Sequence, residues 1–210
     1  MKEFASIYHK LDRQCCHYSR HLGHLKGLFK NDDWNRIVHG SKSGHALDLG
    51  NLEIINALVL FNTRMFDQQT DTITVHKLSK KLPNEQQVEQ YHADRMKELG
   101  IKYELESHYA AREKFILAKK KLRKTSTIDK LKSLRKLKLA HNIDEPAQKS
   151  DKATLNDLVV ITEAVNELVD LAGYIVLRHE KHYPQLSDRA EKATRMLFAA
   201  LPTLADVEKE

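Results

Sequence analysis

The segment SLRKLKLAHNID, residues 133–144, sets Arg135 and His141 with five residues between them at the end of the most basic stretch of the chain. Histidine has an unperturbed pKa near about 6.5, so at neutral pH it can accept a proton and return it to a leaving oxygen. Arginine stays charged and offers a planar fork of donors matched to phosphate oxygens, which suits it to stabilising the charge that builds in a transition state. Together the two residue types point to chemistry at a phosphate ester. The alternative reading of the same residues is structural, with Arg135 paired to an acid and His141 capping a helix.

The surrounding charge points the same way. Between Arg112 and Lys138, twelve Lys or Arg stand against two acids, Glu113 and Asp129, a local balance of +10. The whole chain carries +6, so the remainder sums to −4 and the basic character is one patch on an otherwise acidic protein. Such asymmetry suits a polyanionic partner. A solvated lysine-rich helix face is the competing explanation. Arg123, Lys124, Lys132, Lys136, Lys138 and Asn142 are the candidates to hold a phosphate backbone.

The Arg135 to His141 spacing resembles the R-x4-6-H signature of the HEPN superfamily. The word LAHNID, with FNTRMFDQ (Phe61 to Gln68) and the following ITVHKLSKKL, resembles more closely its AbiU-type abortive-infection branch, in a layout running from about Leu47 to Val176. The resemblance implies a helical bundle and a metal-independent endoribonuclease of a defence or toxin–antitoxin type system. It also implies an RNA substrate, a homodimer with both motifs lining a shared cleft, an antitoxin protein as a further partner, and no cofactor. The chemistry is consistent: RNA is cut by its own 2′-hydroxyl once a base removes that proton and cations stabilise the phosphorane.

Helix geometry adds a constraint. Six positions at about 100° each leave Arg135 and His141 roughly 120° apart on a continuous helix, so they cannot share one face. Either the helix ends before His141, or copies from two subunits converge, a two-fold axis then supplying one histidine as base and one as acid. Two positions depart from the family pattern. Lys136 stands where active relatives often carry Asn, Asp or His, and Ile143 stands where some carry a tyrosine that a partner enzyme modifies. Lys136 favours the alternative reading, a catalytically inactive HEPN-like module that binds RNA or a protein partner through its basic helix.

Other constellations are weaker. His17, His21 and His24 recur at helical spacing near Cys15 and Cys16, a metal-ligand spacing in principle, although a polar helix face explains them as simply. NRIVHG, Asn35 to Gly40, has Arg36 only three residues before His39, and His179-Glu180-Lys181-His182 falls one residue short of HExxH. The absence of a phosphate-binding glycine loop, a G-x-S-x-G turn or a paired CxxC disfavours nucleoside triphosphate hydrolysis and serine-hydrolase chemistry.

These groups must be positioned by helices, because the pattern along the chain is all-α. The 210 residues, 41% hydrophobic and 30% charged, have enough apolar material to enclose a core. The four prolines, Pro83, Pro146, Pro184 and Pro202, read as boundaries. We expect a helix from Lys2 that loosens at its glycines before a loop around Asn31 to Gly44. A second helix follows over about Leu47 to Phe66, with Leu52, Ile55, Leu58, Val59, Met65 and Phe66 as its buried stripe. Thr70 to Val75 reads as a loop leading to a short helix, and Asn84 to Lys124 as a long helical stretch broken at Gly100. Ser126 with Asp129, and Thr154 with Asp157, have capping spacing and open two more helices, the second running to about His182. A last helix covers about Ser187 to Leu201. The expected organisation is a helical extension over residues 1–45 and a HEPN-like helical bundle over 46–205. The charged opening MKEFASIYHK and the lack of any long apolar run predict a cytoplasmic protein that does not enter a membrane, with Cys15 and Cys16 reduced.

Overall fold

The computed structural model describes residues 1–29, 42–68, 72–100, 105–136, 153–177 and 183–200. Among them the fold is all-α, with eight helices and no strand. These are α1 (Lys2–Phe29), α2 (Lys42–Met65), α3 (Val75–Lys80), α4 (Glu85–Leu99), α5 (Leu105–Leu122), α6 (Thr127–Arg135), α7 (Leu155–Leu177) and α8 (Tyr183–Ala200). Among the described residues no helix is long and apolar enough to cross a membrane.

The centre is α7. Its apolar residues recur every three or four positions, and Leu158, Ile161, Val165, Leu168, Val169, Ala172 and Ile175 are all buried. Helices α1, α2 and α5 pack around it, and one continuous apolar cluster runs from Phe4 in α1 to Tyr183 in α8. The start of α7 is held as the capping pair predicts. The Thr154 backbone N–H donates to Asp157 Oδ2 at 2.7 Å, and the Asp157 N–H donates back to Thr154 Oγ1 at 3.1 Å. Two buried histidines finish the other end. His108 Nδ1 meets the Tyr174 carbonyl at 2.8 Å and His92 Nε2 meets that of Ile175 at 3.4 Å, so imidazole N–H groups satisfy carbonyls in the last turn of the helix.

Helix α1 does not loosen at its glycines. It runs unbroken for 28 residues, and Gly23 and Gly27 lie against α8. A Cβ at Gly23 would overlap the Ser187 carbonyl oxygen, and one at Gly27 would lie 2.8 Å from the Glu191 oxygen. Spaced four apart, the two glycines share one face of the helix and let the two backbones approach closely. This contact outweighs a cost to helix propensity of about 1 kcal/mol per glycine. Helix α8 in turn begins four residues ahead of the expected Ser187, at buried Tyr183, whose hydroxyl donates to Asp12 Oδ1 at 2.7 Å. Pro184 falls in the first turn, where a missing N–H leaves no helical bond unmade.

Further along, Thr74 Oγ1 accepts from Lys77 N to start α3, and Asn84 with Gln87 forms a reciprocal box at the start of α4. Gly100 closes α4 at φ 67, in the left-handed region that glycine tolerates best. The stripe assigned to α2 holds at Leu58, Val59 and Met65, but Leu52 is 43% exposed. The cap predicted at Ser126 is absent, because Ser126 already has helical backbone angles, φ −67 and ψ −15, and its side chain makes no capping bond. A short turn links the two helices instead, and Thr125 Oγ1 donates to the Leu122 carbonyl at the end of α5.

Candidate basic cleft and the Arg135 site

Arg135 is the last residue of α6, and Lys136 continues with helical angles, φ −60 and ψ −48. Its guanidinium reaches back to the end of α2, where Nη1 donates to Asp67 Oδ2 at 3.2 Å. The structural alternative for Arg135, pairing with an acid, is therefore realised. Both side chains keep partial exposure, 36% for Arg135 and 25% for Asp67. Half-exposed pairs contribute only about 0–1 kcal/mol, so a competing phosphate can displace Asp67 at small cost. His141, Lys138 and Asn142 lie outside the described residues, as do Asn35 to Gly40 and His179 to His182.

Several of the remaining candidates gather nearby. Lys119, Lys120 and Lys121 occupy the last turn of α5, and Lys132 and Arg135 the last turn of α6. Cations at a helix C-terminus are favoured by the helix dipole, at about 0.3–1 kcal/mol each, which accounts for part of the lysine richness without any ligand. The arrangement of the tips goes further. Lys119, Arg123 and Lys132 converge with His76 on a cavity of about 140 Å³ that Phe66 and Gln68 also line. Asp129 also lines it. Lys124 and Lys136 are exposed outside the cavity. Asp67 lies between Phe66 and Gln68 in the chain, and Lys132 and Arg135 are one turn apart on α6, so the cavity and the Arg135 ion pair adjoin.

His76 and Lys119 were not among the residues singled out from sequence. His76 enters through α3, whose Thr74 cap places it in the first turn, and Lys119 comes from α5. The Lys119 ammonium donates to the Ser79 hydroxyl, which itself donates to the His76 carbonyl at 2.7 Å. Desolvation, then the charges of Lys80, Lys119 and Arg123, hold the His76 imidazole below its ordinary pKa. Desolvation, then Arg123 and Lys80, lowers Lys119 in the same sense. Like charges held together at a partly desolvated opening are a setting that an anion relieves.

The N-terminal histidines divide. His17 and His21 approach through their Nε2 atoms at 2.9 Å, whereas His24 Nδ1 turns to Thr194 Oγ1 on α8 at 3.0 Å. Among the described residues no group of three or more His, Cys, Asp or Glu is arranged to hold a metal ion. Cys15 is buried and Cys16 partly so, and neither is joined in a disulfide. No protein-family model, curated protein or solved structure matches the chain.

Proposed function

We propose that this chain binds RNA through the face formed by the ends of α5 and α6, and cleaves it as a HEPN-type, metal-independent endoribonuclease. The observation that supports the RNA partner is the convergence of Lys119, Arg123 and Lys132 on one cavity beside Arg135, with Lys124 and Lys136 exposed around it. Sequence-independent RNA affinity comes largely from such cations displacing counterions from phosphates. In this reading His141 removes the 2′-hydroxyl proton, and Arg135 leaves Asp67 to stabilise the charge on the phosphorane. Two copies related by a two-fold axis supply the paired histidines, and an antitoxin protein restrains the activity in the cytoplasm.

The Arg135–Asp67 pair also favours a second reading, a catalytically inactive module that binds RNA or a protein, because the guanidinium already has a carboxylate. One experiment separates the two. Wild type and His141→Ala are incubated with total RNA in the presence of chelator. The nuclease reading expects cleavage by wild type alone, with helicity and dimerisation unchanged in the variant. Undiminished cleavage by His141→Ala rules out the assigned chemistry. Salt-sensitive binding with no cleavage by either protein selects the module.

A further inference from the structure

The cavity lined by His76, Lys119, Arg123 and Lys132 holds more charge than a backbone-tracking groove requires. Its three permanent cations face one acid, Asp129, which leaves a balance of +2 before His76 takes up a proton. An internal phosphodiester brings one negative charge, whereas a phosphomonoester brings about −1.5 to −2 near neutral pH. The volume is compatible: a cavity of about 150 Å³ admits a benzene molecule, so 140 Å³ accommodates the five heavy atoms of a phosphate.

We propose that this cavity is a pocket for a terminal phosphate of RNA, so that the strand end docks beside Arg135. The proposal rests on the RNA-binding reading for the identity of its ligand. Lys119 and Lys132 approach from the ends of two different helices, α5 and α6, and Arg123 from the turn between them. His76 completes the ring from α3. The charged groups around its imidazole are Lys80 on its own helix, Lys119 and Arg123 at the end of α5, and Lys132 and Asp129 on α6. Desolvation, then the surrounding cations, disfavours imidazolium in this pocket, and an entering dianion offsets the cations. Binding therefore takes up a proton at His76, and affinity for an anion of constant charge rises as pH falls. The geometry also orders the strand, because Lys132 and Arg135 are neighbours on one helix face. A phosphate held by the first leaves the next linkages to pass the second.

The test measures binding of one short single-stranded RNA in three forms: 5′-phosphorylated, 3′-phosphorylated, and hydroxyl at both ends. A lost set of charge-assisted hydrogen bonds corresponds to about tenfold to a hundredfold, so one phosphorylated form is expected to bind at least tenfold tighter than the hydroxyl form. That ratio, rather than overall affinity, should collapse toward one in His76→Gln, Lys119→Gln and Lys132→Gln, each first checked for native helicity. In parallel, inorganic sulfate, dianionic from pH 5 to 8, is titrated while the His76 ring proton is followed by NMR. Sulfate should bind more tightly at the acid end and move that resonance. RNA binding with equal affinity for all three forms overturns the pocket and leaves the RNA reading intact. Sulfate bound at His76 with no RNA bound in any form overturns the RNA assignment, and makes a small free phosphate compound the source of the phosphoryl group.

Discussion

Replacing Asp67 by Asn tests whether Arg135 is a phosphate-facing cation or a structural one. The Arg135 Nη1 to Asp67 Oδ2 distance is 3.2 Å, and the side chains keep 36% and 25% of their exposure. Two unit charges at about 4 Å attract by roughly 1 kcal/mol in bulk water and 4 kcal/mol at a surface-like dielectric. Desolvation and side-chain entropy reduce the net value of exposed pairs to about 0–1 kcal/mol. The lost pair should therefore cost less than about 1 kcal/mol of stability, since α6 remains anchored by buried Ile128 and Leu131. RNA affinity should rise by a comparable amount, roughly two- to fivefold at moderate salt, because Asp67 no longer competes with phosphate. The salt dependence carries the sharper signature. One additional phosphate contact on a single strand steepens the slope of log K against log salt by about 0.7. Fluorescence anisotropy with a single-stranded RNA over a range of salt concentrations measures both. Unchanged affinity with an unchanged slope refutes the idea that Arg135 faces RNA. A fall in affinity shows that Asp67 positions the guanidinium rather than masking it.

Three further outcomes follow from the fold. Gly23→Ala should destabilise the protein by about 1–3 kcal/mol, as overpacking of a close contact does. Gly50→Ala, on α2 with nothing within 4 Å of the new Cβ, should instead stabilise it, and thermal unfolding of both variants reads the opposite signs. Thr154→Ala should cost about 1 kcal/mol in denaturant unfolding, while Ser126→Ala should cost almost nothing, because only the first residue makes a capping bond. Desolvation, the leading cause in each case, lowers the pKa of His21, His24 and His76 in the folded protein. Their folded values lie below the unfolded one, so the unfolded chain binds more protons and stability falls as pH drops through the ordinary histidine range near about 6.5. Stability that is flat or rising as the solution is acidified from neutral would contradict that assignment.

The features readable from the chain alone are those whose causes lie within a few residues. Thr154 and Asp157 bond each other across three positions, Gly100 ends a helix through its own left-handed φ, and the α7 stripe is a matter of period. Ser126 carries the same spacing signal as Thr154 and fails, since the turn after α5 gives it helical rather than extended angles. Gly23 and Gly27 suggest a weak helix when read locally, and acquire their meaning only when Ser187 and Glu191 arrive from the far end of the chain. Leu52 shows the limit of periodicity, which identifies a face without saying how far along it the neighbours extend.

The candidate site divides in the same way. The order of residue types alone establishes that positive charge is concentrated between Arg112 and Lys138, because charge is a property of each residue type and needs no fold. Which cations meet is a different matter. Arg135 finds Asp67 from 68 positions away, and Lys119 finds Ser79, beside His76, across 40. Those pairings are set by how α2, α3, α5 and α6 dock, which depends on the packing of side chains such as Val75, Leu78, Ile128 and Leu131 into the common core. Residue types and local spacing thus determined the helices and the basic patch. The packing of helices distant in sequence decided that His76 and Lys119 share a cavity with Lys132, since burying apolar faces constrains where the polar tips end up.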